Sequence, residues 1–242
     1  MIRIIARKEL TEIVRDGRLR VLGALVLILA VAALAFGIEQ TQRAKRDRDD
    51  ARTRTQSQWT NQGDKNPHVA AHYGTYVFAP TDTATAIDPG VSRYLGRIIK
   101  LEAHKRRFAE HTSAEDGTSG GDFSVATVLL LLMPLLIIAL GYGMWTLERE
   151  RGTLRQVLST QINRNSLFWG KLLALLSAIA LLLIPASLVV AGALWTAGGG
   201  DANTLWRLSL LAAFVGIYWV VIAGLTLLVS ATTRSSQIAL VA

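Results

Sequence analysis

The chain has 242 residues, 51% of them hydrophobic, with no cysteine and a net charge of +8, and its mean hydropathy is +0.34. A soluble domain of this size must keep its surface wetted, so such a composition argues against one and for a membrane protein. The lack of cysteine excludes disulfides and thiolate metal sites and leaves the redox compartment open.

At the N-terminus, Ile2, Ile5, Ala6, Leu10, Ile13 and Val14 recur at helical spacing with Arg and Glu between them. This predicts an amphipathic helix at the membrane interface within residues 1–19; a merely basic leader that fixes topology is the alternative. Asp16-Gly17 predicts its end. Four apolar runs follow, at 20–38, 123–145, 172–195 and 208–230. Each approaches or exceeds the ~20 helical residues that cross a bilayer. None holds an ionisable residue in its interior, where each would cost about 2.5–3.5 kcal/mol. The first run is longer than a signal-peptide core and lacks a small-x-small cleavage site after it, so it reads as a retained anchor.

Between the first two runs lies an insert, residues 39–122, with 13 Lys and Arg against 12 Asp and Glu. Its opening stretch offers the four-apart pairs Arg43/Asp47, Lys45/Asp49, Arg46/Asp50 and Asp50/Arg54, so a solvated helix is expected to prolong the first span until Gly63 and Pro67 end it. Asp88-Pro89-Gly90 reads as a turn or helix start, and Val91, Tyr94, Leu95, Ile98 and Ile99 form an apolar stripe at helical period. The run "HTSAEDGTSGGD" reads as a flexible linker. All four histidines, His68, His72, His104 and His111, fall in this insert. His68 and His72 would share a face of a helix, and such a pair binds zinc or copper when a third ligand converges. Spacing places no third ligand, so no metal site is assigned; a solvated or packed surface is the ordinary alternative.

Pro134 and Pro185 fall inside the second and third runs and predict kinks. Trp145, Trp195, Trp206, Tyr218 and Trp219 lie mostly near run ends, where interfacial anchoring is expected. Lys and Arg crowd residues 1–20 and the 146–171 connection, whereas the 196–207 loop holds only Arg207. That asymmetry puts the N-terminus and the 146–171 connection in the cytoplasm and the insert outside. Residues 231–242 read as a cytoplasmic turn and the start of a fifth span that stops early. The fold class is therefore an all-α polytopic membrane protein with a mainly helical extracytoplasmic insert.

The 146–171 connection carries more chemistry than a tight turn needs. Glu148 and Glu150 leave the second span, Gly152 lets the backbone turn, and Leu154, Val157 and Leu158 share one face of a short helix over 153–160. An exposed apolar face of that size predicts a groove on another protein. The run "ERERGTLRQVLSTQINRNSLFWGKLL" resembles a signature of type-2 ABC-transporter permeases, in the branch that includes gliding-motility and nitrous-oxide-reductase-maturation permeases. The glutamates, Gly152-Thr153-Leu154, Leu158-Ser159, Arg164 and Gly170-Lys171 fall in that order, while Gln161-Ile162 stands where relatives commonly have a proline-containing pair. The resemblance implies a permease subunit in a bacterial inner membrane that pairs with an identical or sister permease. It also implies two cytoplasmic ATPase subunits, which carry the ATP and Mg, docked through a coupling helix at 153–160 and driving export or extraction. The coupling residues so implied are Glu148, Glu150, Arg151, Gly152, Thr153, Leu154, Arg155, Val157, Leu158 and Ser159.

No glycine-rich phosphate loop and no Ser/His/Asp or Cys/His set occurs, so the chain is expected to bind no nucleotide or cofactor and to catalyse nothing itself. Its basic residues are spread over separate short segments, which suits anionic lipid or topology rather than nucleic acid. A membrane-anchored sensor whose working part is 39–122 remains the alternative; four spans where one would anchor favour the permease. An intramembrane enzyme is disfavoured by spans without ionisable clusters.

Overall fold

The computed structural model describes residues 1–73, 75–78, 83–90, 98–102, 105–108, 123–160, 162–196 and 202–241. Helix α1 (Ile2–Asp16) is amphipathic and ends where Gly17 takes a left-handed conformation, φ 83°. Its stripe of Ala6, Ile13 and the half-buried Ile5 and Leu10 packs along the start of α7 (Arg164–Thr196). The approach is close, since a Cβ on Gly170 would lie 2.6 Å from the Ile5 side chain. Only a residue without a side chain lets α1 lie that near the third span.

Helix α2 (Arg18–Thr60) is one unbroken rod of 43 residues that contains the first apolar run and the charged stretch after it. The predicted continuation out of the span is therefore present. Ion pairing along it differs in detail, because Arg43 reaches back to Glu39 and Arg48 to its neighbour Asp49. Beyond it come α3 (Pro67–Tyr73) and three antiparallel strands, β1 (Thr75–Phe78), β2 (Ile98–Glu102) and β3 (Lys105–Phe108), in the order β1-β2-β3. Ile98 and Ile99, expected on a helical stripe, lie instead in β2 opposite Phe78 and Val77. Both are β-branched and fit a pleated surface as readily as a helix face, and the pairing with β1 decides. Val91, Tyr94 and Leu95, the linker "HTSAEDGTSGGD", His104 and His111 lie outside the described residues. At Asp88-Pro89-Gly90 the expected turn is made, with the Gly90 N–H donating to Asp88 Oδ1 at 2.9 Å.

The second apolar run forms α4 (Val125–Gly141), capped by Ser124 Oγ accepting from the Thr127 N–H at 3.1 Å, and then α5 (Gly143–Glu150). The helices α4 and α7 continue through Pro134 and Pro185. The second span is interrupted at Tyr142, between α4 and α5. A short helix α6 (Thr153–Ser159) precedes α7, and α8 (Ala202–Thr232) and α9 (Ser236–Val241) complete the described chain. Four stretches, Arg18–Thr60, Val125–Glu150, Arg164–Ala193 and Ala202–Thr232, are long and apolar enough to cross a membrane.

A core of Met133, Leu136, Ile137, Leu175, Ala178, Ala223 and Leu227 joins α4, α7 and α8. Outward, Ile28 and Val31 of α2, Ile184 and Leu188 of α7, and Phe214 and Ile217 of α8 are exposed. Such an apolar belt is what a bilayer covers. Trp195 and Trp206 are exposed near helix ends, as expected, but Trp145 is buried in the core.

Candidate functional site

The end of the bundle that gathers α1, α5, α6, α9 and the start of α7 is organised by the charged run Glu148-Arg149-Glu150. At its base, Ser230 of α8 bridges the break between α4 and α5. Its hydroxyl accepts from the Trp145 N–H at 3.1 Å and donates to the Tyr142 carbonyl at 2.6 Å. The Trp145 N–H is thereby satisfied inside the protein, and the Tyr142 carbonyl, which also accepts from the Thr146 hydroxyl at 3.0 Å, gains a second donor.

Each charged side chain then grips a different element. Lys171 is wholly buried, and its ammonium lies 2.9 Å from Glu9 Oε1 of α1 and 3.0 Å from Glu148 Oε2 of α5. It also donates to the Met144 carbonyl at 2.8 Å and sits 5.6 Å from the centre of the Trp145 ring. Lys8 adds an outer layer, 3.2 Å from Glu9 and 3.3 Å from Glu148. Burial alone would lower the Lys8 pKa, but the Glu9 charge, hydrogen bonds to Glu12 and Glu9, and the Glu148 charge outweigh it and raise the value. Arg149 donates to the carbonyls of Ala231, at 2.6 Å, and Thr233, where the end of α8 leaves acceptors free. Glu150 accepts from the Ser236 N–H at 2.6 Å and the Ser236 hydroxyl at 3.1 Å, at the start of α9.

Glu148 and Glu150 therefore bind within the chain and do not stand free beside α6. After them Arg151 is exposed and Gly152 takes φ 74°, a left-handed turn that suits glycine and starts α6. Thr153 donates back to the Glu148 carbonyl at 3.2 Å. Leu154, Val157 and Leu158 do share a face, but that face is half-buried against the protein's own core and is not an open apolar surface. The reason is proximity: α6 folds back onto α5, and the nearest apolar surface is internal. What α6 offers outward is polar, namely Thr153, Arg155, Gln156 and Ser159. Arg3, Arg7, Arg15 and Arg164 are also exposed at this end, giving it a basic face.

Five side chains in this arrangement, Lys8, Glu9, Lys171, Ser230 and Ser236, were not among the expected site residues. Two of them left a sequence signal. Glu9 occupies a buried-stripe position between Ala6 and Ile13, and Lys171 occupies one with Leu167, Ala174 and Ala178. A charge at a core position implies an opposite charge facing it, because an unpaired one is too costly to bury.

Together these features define a multi-pass membrane protein whose spans meet at a compact, internally ion-paired tip. The family model described as ABC-2 family transporter protein matches residues 3–242, so the chain belongs to that family and is a permease component of an ABC transporter. Membership implies association with ABC ATPase subunits. Comparison with individually curated proteins and with solved structures gave no match.

Proposed function

We propose that this chain transmits ATP-driven motion from two cytoplasmic ABC ATPase subunits to its spans, for export or extraction of a substrate, in a dimer with an identical or sister permease. On this reading the N-terminal helix and the α5–α6 connection face the cytoplasm, the insert faces outside, and the assembly sits in a bacterial inner membrane. The observation that carries it is the position of α6 at the tip of a clamp that ties α1, α5, α7, α8 and α9 together through Glu148, Arg149, Glu150 and Lys171. A push on α6 reaches three of the four spans through these contacts. The docking surface is the polar, basic outer face, with Arg151 and Arg155 as its leading charges and an acidic groove as its complement. Leu154, Val157 and Leu158 seat α6 on the bundle.

The test is co-purification with the co-expressed ATPase subunit. R151E/R155E should abolish the complex and its ATP turnover while leaving the thermal stability of the chain unchanged. A complex that survives this change with full turnover removes α6 as the docking element. Within the family, the signature at 146–171 supports placing the chain in the branch resembling gliding-motility and nitrous-oxide-reductase-maturation permeases.

A further inference from the structure

We propose that the outward face of α1 is a binding surface for the headgroups of anionic phospholipids, held there by Arg3, Arg7 and Arg15. Four apart along the helix, Arg3, Arg7, Thr11 and Arg15 form one row, and all four are exposed. The opposite side is already occupied, because Ala6, Ile13, Ile5 and Leu10 pack on the protein's own core. The apolar stripe that an interfacial helix would ordinarily sink into lipid is thus taken by α7. What α1 turns outward is arginine, with Ile4 among it, 72% exposed.

The two helices that flank α1 fix its depth. On α7 the exposed side chains change from Asn163, Arg164 and Asn165 to Leu173 and Leu181, and the exposed Trp169 stands at the change. On α2 they change from Arg20 to Val21 and Leu25. The first turn of α1 touches Gly170, next to Trp169, through Ile5 and the Ile2 carbonyl, and its last turn leads through Gly17 into α2. Both ends of α1 therefore lie where polar residues give way to lipid-facing ones, and a tryptophan at that level marks the headgroup layer. A helix along that plane carries its guanidinium groups among phosphates, which their forked donors fit.

The charges are also available. Lys8, on the flank, is engaged by Glu9, Glu12 and Glu148, whereas among the described residues Arg3, Arg7 and Arg15 make no ion pair. An isoleucine exposed between arginines suits the boundary of phosphate and acyl chain better than an acidic protein groove. With the apolar stripe occupied, attachment rests on charge, so it depends on lipid charge and on salt. It is independent of ATPase docking, which uses the arginines near α6.

The experiment uses the full, tag-free chain, without ATPase, in nanodiscs of phosphatidylcholine alone or with about a third phosphatidylglycerol, followed by hydrogen exchange. Adding phosphatidylglycerol at low salt should slow exchange over residues 2–16 by about fivefold or more, the effect of a single arginine near an anionic surface, and high salt should reduce the slowing. R3Q/R7Q/R15Q should lose the slowing, R7Q alone should lessen it, and R3K/R7K/R15K, which keeps the charge, should retain it. R151E/R155E should retain it too. Equal exchange in the two kinds of disc overturns the proposal, as does slowing that survives in R3Q/R7Q/R15Q. Slowing by inorganic phosphate in neutral discs, or only after an ATPase subunit is added, assigns the face to another partner and overturns it as well.

Discussion

Replacing Lys171 by methionine tests the clamp most directly. The side chains are close in volume, so no large cavity opens, and the change is chiefly the loss of one buried charge. Lys171 is 0% exposed and meets Glu9 at 2.9 Å and Glu148 at 3.0 Å, whose side chains are only 6% and 15% exposed. Removing one partner of a buried ion pair costs about 3–5 kcal/mol, because the other charge is stranded. Here Lys8 remains beside both carboxylates, though half-exposed, which favours the lower end. We expect a loss of about 3 kcal/mol, or roughly a hundredfold in the folding equilibrium. Reversible unfolding in mixed micelles of rising SDS fraction, read by tryptophan fluorescence, measures it. The neutralised triple variant K171M/E9Q/E148Q should recover to within about 1 kcal/mol of the unsubstituted chain, since no buried charge is left without its partner. A K171M chain within about 0.5 kcal/mol of the unsubstituted one refutes the reasoning, as does a triple variant no more stable than K171M.

Ser230→Ala leaves the Trp145 N–H and the Tyr142 carbonyl without their bridge at the α4–α5 break; the same unfolding assay should register a loss of about 1–3 kcal/mol. Because the chain has no cysteine, single cysteines report sidedness cleanly. With membrane-impermeant maleimide on intact cells, Ser57→Cys should label and Ser159→Cys should not until the membrane is opened. Lys8 has its folded pKa raised above the unfolded value of 10.5, so its contribution is complete below that pH and is lost only as the pH rises through the folded value. The stability difference between the unsubstituted chain and K8M should therefore stay constant from about pH 6 to about pH 9 in parallel titrations of unfolding.

The spans were legible because length and continuous apolarity are one-dimensional properties, and the left-handed break at Gly17 and the long α2 were legible because a glycine or its absence acts locally. The role of the glutamates was not. Sequence spacing shows that Glu148 and Glu150 leave a membrane span, but not that Lys171, 23 positions on, and Ser236 return to meet them. The same limit explains Leu154, Val157 and Leu158. Periodicity identifies an apolar face, and only the packing of α6 on α5 says what covers it. Trp145 shows it again, since nearness to a span end predicts an interfacial ring while Lys171 and the core claim it. In the insert, Ile98 and Ile99 satisfy both helical and strand patterns, and the choice rests on a partner strand whose paired residues lie 20 and 22 positions earlier.

The length of α2 has a mechanical consequence. At 1.5 Å per residue its 43 residues measure about 65 Å, and a bilayer core takes up only about 30 Å of that. The remainder is a stalk of roughly equal length, and β1 rests against it. A lean of about ten degrees at the membrane would sweep the far end of such a stalk through about 6 Å, by the geometry of a rod rising 1.5 Å per residue. Small tilts among packed spans are thereby converted into displacements large enough to open or close a contact well above the lipid.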